Sequence, residues 1–335
     1  MSKPRGCFTS FIIVIALAAV VCWAGYWYLG PYQSGAPETF VDIEHGMSSR
    51  QIAEVLADRG VVRSPWAFLA VRLLHPQAPL QAGEYRFSGE QTPAEVFDKI
   101  RKGEIFFQYL TVPEGSNMFD IANLLGAQMT SIQPGDFLRA AADSQMIHDL
   151  DPQAPTLEGY LFPSTYQMTH RTTARQLCRM MTDEFRRQWR ALAGSGEVTD
   201  VHRIVTLASL VEKESALPQE RPEVASVFVN RLRLSMPLQC DPTTVYAALL
   251  ENRYRGEIHR SDLASKNLYN TYTHAGLPPG PIANPGVGSL QAALHPAGTD
   301  FLYFVAKPGG SGSHHFSATL GEHDKAVEAY RRGVR

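Results

Sequence analysis

The segment 201–215 reads VHRIVTLASLVEKES and ends in two carboxylates, Glu212 and Glu214. Ile204, Val205, Leu207, Ala208, Leu210 and Val211 nearly encircle a helix, which predicts a buried element. Residues two apart on a helix point about 200° apart. The two carboxylates therefore face opposite sides, and only one enters a given cleft. Glu214 continues the stripe Ile204, Leu207, Val211. A carboxyl on an apolar stripe is partly desolvated, which raises its pKa. It then holds a proton near neutral pH and can pass it to a leaving oxygen. The plain alternative is a helix-end glutamate in water, since charged helix ends are common.

Three further segments carry polar groups of the right kind. LEGYLFPSTY at 157–166 mixes Glu158 with Tyr160 and other aromatics, and aromatic faces beside a carboxylate suit a sugar ring. QCDPT at 239–243 sets Gln239 and Asp241 just before a helix, and NTYT at 270–273 sets Asn270 and Tyr272 ahead of GLPPG at 276–280. Loops stiffened by Gly and Pro and carrying amides and hydroxyls are how a scaffold presents a groove. Read singly, each is equally ordinary turn chemistry or core packing. No HExxH motif and no phosphate-binding glycine loop is present, so neither a metal nor an organic cofactor is implied.

The elements that must position these groups follow from the pattern. Thr199-Asp200 caps a helix running to about Ala216, before Pro218. Further helices are predicted over about 220–234 and 242–251, and an ordered loop over 267–287. Strands are predicted at Asp300–Ala306 and His314–Ala318, and a polar helix at Gly321–Arg332. Upstream, a pattern repeats at an offset of 69 residues: FVDI at 40–43, Gly46, then Ile52, Ala53, Leu56; and YLTV at 109–112, Gly115, then Ile121, Ala122, Leu125. Each copy reads as strand, glycine turn and amphipathic helix. Ala82–Phe87 alternates like a strand, and Thr92-Pro93 opens a helix through Lys102.

Phe8–Leu29 is a run of 22 residues without a charge. A helix of that length crosses a bilayer core of about 30 Å. Lys3 and Arg5 precede it, and Trp23, Tyr26, Trp27 and Tyr28 crowd its far end, which places the rest of the chain outside the cytoplasm. A cleaved signal peptide has a shorter apolar core. Lipidation at Cys22 is disfavoured by the bulk of Val21 before it. A short Gly/Pro/Ser linker, 30–37, follows. Charged residues nearly balance (31 Lys and Arg against 33 Asp and Glu), so no basic excess points to nucleic acid. Cys7, Cys22, Cys178 and Cys240 form no CxxC pair or metal spacing, and whether Cys178 and Cys240 pair is a matter of fold.

The runs ASLVEKES (208–215), RPEVASVFVNRLRLSMPLQCDPT (221–243), YNTYTHAGLPPGPIANPG (269–286) and LQAALHPAGTDFLYFVAK (290–307) closely resemble the YceG-like family, the MltG-type endolytic murein transglycosylases. EGYLFPSTY (158–166) and HHFSATLGEHDKAVEAY (314–330) match as well. The resemblance implies an α+β fold in five parts. These are a cytoplasmic N-terminus 1–7, a transmembrane helix 8–29, the linker 30–37, a LysM-like α+β subdomain 38–112 and a mixed α+β catalytic domain 113–335. It implies Glu214, the second glutamate of EKE, as the catalytic acid/base, and leaves the role of Glu212 open. It suits Glu158, Tyr160, Gln239, Asp241, Asn270 and Tyr272 to substrate binding. Cys240 departs from the small polar residue expected before Asp-Pro-Thr, which puts a hydroxyl-specific role there in doubt. The implied partners are peptidoglycan glycan strands, the inner membrane through one helix, and the peptidoglycan synthases. The implied reaction cleaves nascent strands without adding water. A hydrolytic muramidase and a non-catalytic peptidoglycan-binding scaffold are the competing expectations.

Overall fold

The structure is a computed structural model that describes residues 5–32, 37–128, 130–194, 200–309 and 312–333. Of the sequence expectations, Lys3, Thr199 and the middle of the linker lie outside the described residues, as do the side chains of 5–12 and 21. The chain divides into two compact units, Met1–Gln108 and Tyr109–Arg335. The fold is α+β, and among the described residues the sheets are three two-stranded pairs.

The first unit contains α1 (Arg5–Leu29), β1 (Glu38–Ile43), α2 (Ser49–Asp58), α3 (Pro65–Leu74), β2 (Gly83–Ser88) and α4 (Pro93–Lys102). β1 and β2 pair antiparallel with Val41 opposite Tyr85. Val41, Ile43, Tyr85 and Phe87 turn inward, the period-two pattern of a half-buried ribbon. A two-stranded ribbon is marginal alone, so it depends on helices. Ile52, Ala53 and Leu56 of α2 and Val96, Phe97 and Ile100 of α4 complete this core. Both helices start at reciprocal caps, Ser48 with Gln51 and Thr92 with Glu95. Although α1 is 25 residues long, its described side chains begin at Ile13 and skip Val21. Among the described residues no helix is long and apolar enough to cross a membrane.

The second unit contains β3 (Gln108–Thr111), α5 (Met118–Ala127), α6 (Pro134–Ala141), β4 (Thr165–Met168), α7 (Ala174–Ala193), α8 (Val201–Glu214), α9 (Arg221–Arg233), α10 (Asp241–Leu250), α11 (Arg260–Leu263), α12 (Val287–Leu294), β5 (Tyr303–Ala306), β6 (His314–Ser317) and α13 (Leu320–Gly333). α8 is its axis and packs on α9, α10 and α12. Val205, Leu207, Leu210 and Val211 are fully enclosed, each such side chain worth about 1.5–3 kcal/mol. Ile204 stays half-buried. Asp200 caps the helix by accepting from Arg203 N at 2.9 Å. The helix stops at Glu214, two residues before its expected end, because Ser215 is extended and turns its hydroxyl to the Leu217 carbonyl.

The 20-residue α7 carries Leu177, Met181, Phe185 and Trp189 on one buried stripe. Cys178, on the same helix, and Cys240 are both buried free thiols. No residues between α11 and α12 join a helix or strand, and the loop is held by side chains instead.

Candidate active site

Glu214, the last residue of α8, lines a cavity of about 280 Å³. Gln239, Cys240 and Asp241 border it at the entry to α10, and Tyr272 borders it from the 267–287 loop. α9 adds Phe228 and Arg231, β5 adds Phe304, and α13 adds His323. The fold thus gathers four of the seven residues expected at the site, from segments far apart in the chain.

The loops meet through Thr243 and Thr271, whose hydroxyls lie 2.9 Å apart. Cys240 N donates to Thr271 Oγ1 at 3.0 Å and Gln239 N to Thr271 O at 3.2 Å. Gln239 sits at φ 52°, a left-handed conformation rarely held by a non-glycine residue, which presents its side chain to the cavity. Tyr272 Oη donates to Asp241 Oδ1 at 2.5 Å, and burial together with Asp241 raises the Tyr272 pKa, so the phenol stays protonated.

Burial is the largest influence on Glu214 and raises its pKa, and the charge of Asp241 adds to this. The Cys240 thiol hydrogen-bonds the carboxyl and, with His314 and Arg231, pulls the other way. Burial and Glu214 hold Cys240 well above the ordinary thiol range, so it acts as an S–H donor and not a thiolate. The balance favours the protonated acid more than in an exposed glutamate, and the Arg231 guanidinium favours its ionised form.

Arg231 was not singled out by its sequence, where it is one arginine of NRLR on an amphipathic helix. Its Nε donates to Leu302 O at 2.7 Å and its Nη1 to Leu238 O at 2.9 Å, while its guanidinium lies 5.2 Å from the Tyr303 ring centre. Among the described residues no carboxylate lies within 4.0 Å of it, so its charge is free to act on the cavity. Replacing it should raise the Glu214 pKa further. For Arg231→Met, the basic limb of kcat/KM should move to higher pH and the maximal rate should fall about tenfold or more, with Arg231→Lys intermediate. A pH–rate profile of the three proteins checks this, and unchanged limbs would remove Arg231 from the site.

The remaining three expected residues are placed elsewhere. Glu158 is fully buried and accepts from Met118 N at 2.9 Å, Tyr246 Oη at 3.0 Å and Asn284 Nδ2 at 2.8 Å. Next to it Gly159 holds φ 88°, and a Cβ there would strike Pro281. Tyr160 is buried, donates to Asp151 and packs edge-on against Phe185. Asn270 donates to the carbonyls of Asp262, Leu263 and Ser265 and accepts from Tyr272 N, so it shapes the loop that carries Tyr272. Glu212, whose role the sequence left open, pairs with Arg221 at 3.1 Å and accepts from Gly286 N at 2.9 Å. It fastens the end of α8 to the starts of α9 and α12, and shares none of these partners with Glu214. Among the described residues no group of His, Cys, Asp and Glu could hold a metal ion.

The model of the YceG-like family matches residues 41–329. The chain belongs to the YceG-like family. An endolytic murein transglycosylase of Bacillus subtilis (strain 168) is 34% identical over 309 residues, covering 87% of this chain and 84% of its own length. A relative with the same description from Streptococcus pneumoniae serotype 2 is 29% identical over 353 residues, spanning 95% of this chain and 64% of that longer protein. Among solved structures, a yceG-like protein of Listeria monocytogenes is 31% identical with a TM-score of 0.57, covering 86% of this chain and 98% of that one. In this YceG-like chain the cavity is built around one buried carboxyl with a raised pKa.

Proposed function

We propose that this chain is an endolytic murein transglycosylase with Glu214 as its acid/base. The observation that carries the reading is the Glu214 carboxyl at the wall of a polar cavity, where burial raises its pKa above the ordinary carboxylate range. Its relatives named endolytic murein transglycosylases support the substrate, the glycan strands of peptidoglycan. Glu214 protonates the oxygen of the MurNAc–GlcNAc β-1,4 bond, the C1–O bond breaks, and oxocarbenium character develops at the muramic C1. The carboxylate then takes the proton of that sugar's C6 hydroxyl as its oxygen bonds C1. The product is a 1,6-anhydro end, no water enters, and Glu214 is regenerated as the acid. Glycosidases that use water need two carboxylates. An internal nucleophile already held by the substrate removes the need for the second. Asp241 and Tyr272 then position the sugar.

Mass analysis of products from defined glycan strands tests this. The expected mass is the anhydro sugar at every new end. A mass with one added water would favour a hydrolytic muramidase, with Asp241 as its second carboxylate.

The proposed setting is the outer face of the cell membrane, with residues 8–29 as a single uncleaved anchor and 38–112 as a LysM-like glycan-binding unit. Cleavage there would end the growth of strands supplied by peptidoglycan synthases. The uncharged run and its aromatic end support the anchor. Protease added to spheroplasts should digest everything beyond the linker, and protection of the intact chain would reverse the topology.

A further inference from the structure

Helix α3, with the sequence PWAFLAVRLL, fills the first unit's core with Ala67, Phe68 and Val71. Its outer side is apolar too. Trp66, Ala70, Leu73 and Leu74 follow at spacings of four, three and one, which puts them on one face. Trp66, Leu73 and Leu74 are 73%, 78% and 77% exposed. Contiguous exposed apolar surface of this kind marks a contact, and the neighbouring element says with what. Trp66 and Ala70 line one open, mostly apolar cavity of about 530 Å³ with Ala24, Gly25, Tyr28 and Leu29 at the end of α1. The stripe therefore begins at the level of Trp23, Tyr26, Trp27 and Tyr28, and such aromatic belts stand at the depth of lipid headgroups. A cation stands at that level as well. The Arg63 guanidinium lies 4.2 Å from the Trp27 ring centre and 4.8 Å from that of Tyr32, and its buried Nε has no hydrogen-bond partner among the described residues.

We propose that α3 lies on the outer surface of the membrane entered by α1, with Trp66, Ala70, Leu73 and Leu74 against lipid and Arg63 at phosphate depth. The proposal rests on the anchor reading above. A short helix with aromatic and leucine residues on one face and arginine beside it is the pattern of an interfacial element. The contact fixes the orientation of the first unit on the bilayer.

Photocrosslinking of the full chain tests this, in vesicles of phosphatidylethanolamine and phosphatidylglycerol, with benzoylphenylalanine placed in turn at Leu73, Ile15 and Glu54. Ile15 is an exposed apolar residue of α1, and Glu54 an exposed polar residue of α2. The expected result is a mass increase of one phospholipid at Leu73 and at Ile15, and none at Glu54. Lipid at Ile15 without lipid at Leu73 overturns the proposal and leaves the anchor standing. Lipid at neither overturns both. Crosslinking of Leu73 to a second copy of the chain, or lipid at Glu54 as abundant as at Leu73, also overturns it.

Discussion

Glu214→Gln should abolish glycan cleavage while the protein keeps its fold. The amide has the shape of the acid but no proton to give, so the glycosidic oxygen would have to depart as an unprotonated alkoxide. General acid–base catalysis supplies about 10²- to 10⁴-fold, and here one group serves both steps. The loss should therefore lie at or beyond the upper end of that range. Stability should not fall, because burying the carboxyl is itself unfavourable to its charged form. Asp241→Asn is the informative companion. It keeps an acceptor for Tyr272 Oη, and a positioning role predicts a loss of about 10- to 150-fold with the same anhydro product. Rates and product masses for the two variants on one substrate check this. Near-normal turnover by folded Glu214→Gln would favour the non-catalytic scaffold, and equal losses at the two positions would favour a two-carboxylate hydrolase.

Glu158 should govern stability more than rate. Its carboxyl gathers Met118 at the start of α5, Tyr246 on α10 and Asn284, whose own Oδ1 accepts from Gly159 N and Leu161 N. Glu158→Leu strands three buried donors, and the cost should be about 3–5 kcal/mol. Glu158→Gln retains the shape but turns one amide N–H toward a donor, a cost of about 1–3 kcal/mol.

The pH dependence separates this role from a simple packing role. Burial raises the Glu158 pKa to about 8, against the hydrogen bonds that lower it. A folded-state pKa above the unfolded value means that the folded protein binds the proton more tightly. The contribution of Glu158 is then complete below about pH 4.5 and fades as pH rises through about 8. The wild-type stability should therefore drop across that window by more than that of Glu158→Gln, a difference on the order of a few kcal/mol that shows as a larger fall in Tm. Glu214 and His202, both with raised pKa values, slope in the same sense, but they are common to the two proteins and cancel in the comparison. Thermal melts at about pH 5, 6.5 and 8 decide it, and parallel curves would refute the assignment. In folded Glu158→Gln, cleavage should fall by no more than about tenfold, with the product unchanged.

Much of this was legible in the sequence because it is local. The caps at Thr92 and Asp200, the period-two strand at 83–88 and the buried character of α8 all depend on residues within one or two turns of each other. Side-chain direction on a helix is local as well, so Glu212 and Glu214 could be read as serving different surroundings, as their separate partners show. The placing of Gln239, Asp241 and Tyr272 beside Glu214 was within reach only through the family's motifs, since no spacing rule links positions so far apart. Tertiary structure alone decided the rest. Glu158, Tyr160 and Asn270 have the residue types of a sugar site, but whether the Glu158 carboxylate meets solvent or three buried donors depends on segments 40, 88 and 126 residues away. Arg231 gave no signal, because an arginine on an amphipathic helix looks solvated until the carbonyls of Leu302, just before β5, and Leu238, in the loop before α10, close over it. The second apolar stripe of α3 was hidden for the same reason. A run of apolar residues shows that surface must be buried, and only the packed neighbours show which face has already been filled.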